Sequence, residues 1–399
     1  MEGAGQLSPS RVRLDGCRIA LKKAIMNRIF ASVLLCTLLL VVLAFTIACG
    51  GHSNQIGTCL ACPEAQAVYA TTNSGQILTF PFPLGTQLGT ATSTAGPANS
   101  TGILVSGGIV YVSDPGKSAI RAYSINNQEP ILSPASFGPF AVGASPGPMA
   151  LFGQTLYVAS SAGEIFAFTV NSDGSLTSLA GSPFAAGMGL SHLAVANFTD
   201  ANYLYAANSD DPNGSISAFT INSDGSLTPV AGSPFDTVPN GGPEGLNVGE
   251  GNVLYVALKN TNAVAGFSIN ADGSLSPLAG SPFSAGKGTS SLAGCSCGPG
   301  GFLFAANNLD GSISAYSIDA TTGVLTQISG SPFLATTPSG DILFVEGELF
   351  LPDASSNAIG GFVPDLSNGV VSPAPGSPFP AGSGPLALAY SAFPPLNPQ

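Results

Sequence analysis

From Val68 onward the chain alternates short apolar runs with clusters of Gly, Pro, Asn, Asp and Ser, and no helical period interrupts them. Runs of this length between turn formers read as β-strands. The residues at Phe168–Phe184 read FTVNSDGSLTSLAGSPF, and they return almost unchanged at Phe219–Phe235 and Phe267–Phe283. Looser copies fill Tyr316–Phe333 and Phe362–Phe379. A faithful repeat marks an architectural unit.

The unit is counted most easily on the apolar-aromatic pair that precedes each copy. The aromatics are Tyr69, Tyr111, Tyr157, Tyr205, Tyr255, Phe304 and Phe350, spaced by 42, 46, 48, 50, 49 and 46 residues. These spacings give seven units, each long enough for the four short strands of a propeller blade. In one unit Leu193–Ala196 is expected as the inner strand A and Tyr203–Ala207 as strand B. Ser215–Ile221 alternates as strand C, Asn222–Gly225 is a hairpin turn, and Ser226–Val230 is strand D. A glycine at the last turn position takes positive φ without steric cost. Gly232–Phe235 then leads to the next blade, with Pro234 ending ladder pairing and Phe235 wedging between blades. No good inner strand precedes Val68, whereas a spare one, Gly384–Ala389, follows the seventh unit. The C-terminal strand is therefore expected to close the ring against N-terminal strands, leaving no inner edge unpaired. The prediction is an all-β, seven-bladed β-propeller of four-stranded antiparallel blades over residues 68–392, with a tail at 393–399.

Charge changes the picture at the N-terminus. Six of the ten basic residues precede residue 29; beyond residue 48 only Lys117, Arg121, Lys259 and Lys287 remain, against twenty carboxylates. Such a body lacks the clustered cations that phosphate backbones require, so nucleic acid is excluded as a partner. Ile29–Ala48 is an apolar run behind a basic segment, and it reads as a signal peptide or membrane anchor over residues 1–48. Small residues before Cys49 resemble a bacterial lipoprotein processing site, in which the cysteine is lipidated; Thr46 stands where an aliphatic residue is usual. Met26 is a candidate start, since the segment from there has ordinary signal length. Residues 49–67 read as a lipidated cysteine and a flexible tether. The expected location is the cell envelope, membrane-anchored and facing the periplasm or exterior; an uncleaved anchor is the alternative.

The succession of an apolar strand, LYVA(N), an alternating strand, NSDGSL and AGSPF resembles the seven-bladed lactonase-family propellers with YVTN-type repeats, over roughly residues 66–392. That resemblance implies the propeller fold and admits 6-phosphogluconolactonase-like activity, for the family includes 6-phosphogluconolactonases and a muconate cycloisomerase. Enzymatic members carry Arg-His pairs, in a GPRHL-like pattern, where the inner strands begin. The matching positions here are Gly102, Pro148, His192, Gly245, Ser291, Asp341 and Pro385. Only His192 matches, with Ser191 in the arginine position; the next blade has Glu244 and Gly245 instead. A phosphosugar needs cationic donors.

His192, Asp341 and Glu244 are the candidate catalytic residues, all expected at one mouth of the central channel. A histidine with a carboxylate can act as general base on a water attacking a lactone; a hydrogen-bonded loop histidine is the alternative. At the ends of the B strands Asp114, Asn208, Asn307 and Asp353 are candidates for a ligand-binding rim of the same mouth, although strand ends favour such residues anyway. The turns at Asp173, Asp224 and Asp272 lack the remaining ligands of a Ca²⁺ loop and are read as hairpins. Cys59, Cys62, Cys295 and Cys297 are disulfide candidates in an oxidising compartment. Pairing within each couple and a cross-link from tether to propeller both stay open. No cofactor and no metal is expected. The sequence thus points to an exported lipoprotein propeller that binds a small molecule, glycan or protein at its mouth, with a lactonase-type hydrolase acting on a sugar or other small lactone as the alternative.

Overall fold

The computed structural model describes residues 66–82, 87–125, 132–212, 214–297, 300–338 and 340–392. The expected signal segment, Cys49, Cys59 and Cys62 lie outside them. No helix among the described residues is long and apolar enough to cross a membrane.

The strands form seven antiparallel sheets, one per repeat. In blade 4 they run Leu190–Asn197, Asn202–Asn208, Ser215–Ile221 and Leu227–Pro229, in that spatial order from the axis outward. The inner strand is longer than its apolar run suggests, because polar residues at both ends join the ladder. Strand B carries no polar alternation for a physical reason: it lies mid-blade and is covered on both faces by neighbouring blades. Thr155–Ser160 and Val253–Leu258 are buried at every position.

Closure follows the expected route. Pro385–Ala392 is the inner strand of blade 1 and pairs antiparallel with Gln66–Thr72, from Gln66 opposite Ala392 to Thr72 opposite Pro385. One blade is therefore stitched from both ends of the described chain, and the ring has no open inner edge.

Seven buried apolar clusters lie between the blades, each drawing on two consecutive blades. The cluster between blades 4 and 5 joins Tyr205 and Ala218 to Leu254 and Val256; the one between blades 7 and 1 joins Phe350 and Ile359 to Val68 and Phe80. Phe235 packs against the first of these, so the wedge role expected for the phenylalanine of GSPF is realised.

Pro234 does not end the pairing, however. After it Phe235–Asp236 returns to strand C of its own blade, with Phe235 opposite Ile216. Five other blades have the same two-residue strand beside strand D. Between the two short strands, strand C would lack a partner for one amide, and the serine of GSPF supplies it. Ser233 Oγ accepts from Ala218 N at 2.9 Å, and Ser182, Ser281, Ser331 and Ser377 do the same for Ala167, Gly266, Ala315 and Gly361. An unmet buried amide costs more than a hydrogen bond gains, which explains why this serine repeats.

Candidate functional site

The loops into strands A and those from B to C share one face of the propeller. Leu190, at the start of strand A in blade 4, pairs with Asn208 at the end of strand B. On this face a cavity of about 320 Å³ sits over the channel mouth, lined by residues of six blades, Thr101, Ser145, Ser191, Glu244, Asp341 and Leu386 among them.

Two of the three candidate catalytic residues, Glu244 and Asp341, therefore line one cavity. Asp341 Oδ1 accepts from Ser291 Oγ at 3.2 Å, and the same hydroxyl accepts from Ile342 N at 3.0 Å. Glu244 Oε1 accepts from Lys259 Nζ at 2.9 Å, and both side chains are about one-third exposed. His192 is not among the residues lining this cavity. A β-bulge between Leu190 and His192 displaces the register at the strand's start. Ser191, the neighbour of His192 at the bulge, lines the cavity. Ser191 Oγ donates to the carbonyls of Pro243 at 2.9 Å and Glu244 at 3.0 Å, tying blade 4 to blade 5 beside the carboxylate. Sequence reasoning passed over Ser191 because only a histidine stood out in a chain that has two.

The cavity presents hydroxyls, carboxylates and main chain. No lysine or arginine lines it among the described residues. The nearest cation, Lys259, is held by Glu244.

The expected rim behaves differently. Asp114, Asn208, Asn307 and Asp353 are all buried. Asn208 Nδ2 donates to Ser215 and Ser217 Oγ at 2.9 and 3.1 Å, and Asn307 Nδ2 donates to Ser312 and Ser314 Oγ, both at 3.0 Å. Burial pushes the Asp353 carboxyl up, but the Ser355 hydroxyl and the Ser355 and Ser356 amides donate to its Oδ1 within the turn, and the hydrogen bonds of these serines hold it below the usual range. Asp114 accepts from the Lys117 amide and from Arg121 Nε, at 3.1 and 2.6 Å. Strand-end polar residues here close the loops that follow them instead of facing the mouth. Their side chains are bound within their own loops, and none of the four lines the channel-mouth cavity.

The NSDG segments are hairpin turns. Asp173, Asp224 and Asp272 each accept from the serine two residues on, which lowers their carboxyl pKa, and Gly174, Gly225 and Gly273 have φ of 82°, 85° and 82°. No group of three or more potential ligands for a metal occurs among the described residues. On the opposite face Cys295 and Cys297 are joined to each other, with their Cα atoms 5.2 Å apart.

With this geometry in place, a family model described as lactonase, seven-bladed β-propeller, matches residues 109–231 and, overlapping them, 155–291. A solved structure of a proposed 6-phosphogluconolactonase from Bacteroides fragilis is 20% identical, with a TM-score of 0.69 over 83% of this chain and 99% of that one. A second such structure, from Bacteroides uniformis, is 19% identical with a TM-score of 0.68, covering 82% of this chain and 100% of that one. The periplasmic gluconolactonase of Pseudomonas aeruginosa is 18% identical with a TM-score of 0.64, over 82% and 99%. No curated protein sequence matches the chain. At these identities the structural likeness speaks for the fold.

Proposed function

We propose that this chain is an exported lactonase-type propeller, anchored at the cell envelope through Cys49, whose channel mouth binds an uncharged, hydroxyl-rich small molecule. The observation that carries the reading is the chemistry of the 320 Å³ cavity: hydroxyls of Thr101, Ser145 and Ser191 beside two carboxylates, with no cation lining it among the described residues. Hydroxyls and carboxylates match sugar hydroxyls as acceptors and donors. A phosphate dianion would meet the Asp341 carboxylate with no cation lining the cavity to offset it, Lys259 being already paired with Glu244. The ligand class is thus a neutral sugar or sugar lactone rather than a phosphorylated one.

Calorimetric titration of the full chain with glucose, glucono-1,5-lactone and its 6-phosphate tests this. Binding of the neutral sugars, lost in Asp341→Asn and absent for the phosphate, is the expected result. Tighter binding of the phosphate overturns it. Anchoring has its own test, since incorporation of a lipid precursor should vanish in Cys49→Ala.

A second reading, hydrolysis of the neutral lactone, is favoured by the family match together with Asp341, a carboxylate at the cavity with one oxygen fixed by Ser291. Asp341 would take the proton of a water that attacks the lactone carbonyl, and ring opening would leave a hydroxy acid. Proton release from glucono-1,5-lactone above the spontaneous rate, abolished in Asp341→Asn, is its signature.

A further inference from the structure

A second cleft opens on the same face, between blades 1 and 2. It encloses about 460 Å³ and is lined by the Gly96–Asn99 loop on one side and by Asp114–Lys117 with Arg121 on the other. The Gly96–Asn99 loop runs on through Ser100 to Thr101, which lines the channel cavity. In a body with four basic residues beyond residue 48, two of them meet in this cleft.

One buried carboxylate holds the Arg121 guanidinium and the main chain of Lys117. Asp114 Oδ1 accepts the main-chain amide of Lys117 at 3.1 Å, and Oδ2 accepts Arg121 Nε at 2.6 Å. The Asp114 side chain is 6% exposed and that of Arg121 33% exposed. The guanidinium is thereby anchored on its stem side while part of it stays at the surface. Lys117 is exposed at the lip of the cleft. Asp114 cancels one of the two positive charges, which leaves the cleft one positive charge over. That balance suits a single carboxylate; a phosphate dianion would exceed it. Pro97, Ala98 and Pro115 add small apolar surfaces, and Asn99 adds an amide able both to donate and to accept. Apolar patches with a few placed polar groups are the ordinary make-up of a small-molecule site.

From this we infer that the blade 1–blade 2 cleft is an anion site for a small hydroxy-carboxylate of the sugar-acid class, recognised by Arg121 and Lys117 on the Asp114 support. The inference does not depend on turnover at the channel mouth. Its ligand is of the kind that opening a sugar lactone yields, and it would lie one loop away from where such a lactone would bind.

Sodium D-glucuronate is the probe, titrated calorimetrically into the full chain at low salt, with glucose and inorganic phosphate as comparison ligands. Glucuronate should bind, any glucose binding should be unchanged in Lys117→Gln, and the affinity for glucuronate should fall as salt rises. Lys117→Gln should weaken glucuronate about tenfold, the worth of one charge-assisted hydrogen bond. Lys287→Gln removes the same charge elsewhere and should change nothing. Lys117 is exposed, so its variant is expected to fold, which unchanged thermal unfolding would verify. Three outcomes overturn the proposal: no glucuronate binding, Lys117→Gln weakening glucuronate no more than Lys287→Gln does, or binding of phosphate with none of glucuronate.

Discussion

The hydroxyl of Tyr157, in strand B of blade 3, donates a 2.7 Å hydrogen bond to the carbonyl of Gly225, in the outer hairpin of blade 4. The same bond joins Tyr111 to Gly174, Tyr205 to Gly273 and Tyr255 to Gly323, each tyrosine reaching the next blade. The two most regular features of the sequence, the tyrosine of LYVA and the glycine of NSDG, are thus the two halves of one fastening.

Tyr157→Phe should keep the apolar packing and leave the Gly225 carbonyl without its partner. The expected loss is about 1–3 kcal/mol, the cost of an unmet buried acceptor. A urea midpoint lowered at unchanged slope is the check. Blades 6 and 7 have Phe304 and Phe350 at this position, so a phenylalanine fits sterically.

Gly225→Ala should destabilise more strongly than a surface substitution. Its φ is 85°, and an added Cβ would run into Thr155 Oγ1 of the preceding blade. Strain in the left-handed region costs about 1 kcal/mol or more before the clash is counted. Thermal unfolding of Gly225→Ala beside Gly251→Ala, another positive-φ glycine with open space around it, separates clash from strain. Equal losses in the two would remove the inter-blade contact from the explanation.

Ser233→Ala deletes the acceptor that serves Ala218 N where the outer ladder splits. A loss of about 1 kcal/mol is expected, with faster hydrogen exchange at the Ala218 amide as the local readout. Protection that stays unchanged would mean the amide is met in another way.

Alkali should unfold the propeller over a defined window. Burial pushes Tyr111, Tyr157 and Tyr316 up from 10 to about 12, and Tyr205 and Tyr255 further. A raised tyrosine keeps its proton in the folded state after the unfolded chain has given it up. Its stabilising contribution is therefore whole below pH 10 and is lost as pH rises toward 12. The chain has no tryptophan, so tyrosinate absorbance reports without interference. Ionisation and unfolding should coincide; tyrosinate appearing well before the fold is lost would contradict the burial argument.

The architecture was legible because it is written in repeats. Apolar-aromatic pairs mark every strand B, and the surplus of strands at one end marks the closure. The cross-blade bond was not legible, since Tyr255 reaches Gly323 in a turn that reads DATTG instead of NSDG. The candidate site was legible only as far as strand positions could be aligned. Glu244 and Asp341 line the mouth cavity, whereas in blade 4 Ser191 lines it and His192 does not, a difference that spacing does not record. The rim residues stay out of the mouth cavity for a different reason. Asn208 and Asn307 carry serine partners seven and nine, or five and seven, residues further on, and only the fold shows that those hydroxyls turn back onto them.

The seam in blade 1 also decides how the molecule bears load. Gln66–Thr72 is flanked by two antiparallel neighbours, Gln76–Pro81 and Pro385–Ala392. A pull on the chain ahead of Gln66 runs along that strand, so its cross-strand bonds are sheared together instead of being peeled one after another. For a propeller held by its N-terminal side, the closing strand Pro385–Ala392 would share that shear with Gln76–Pro81.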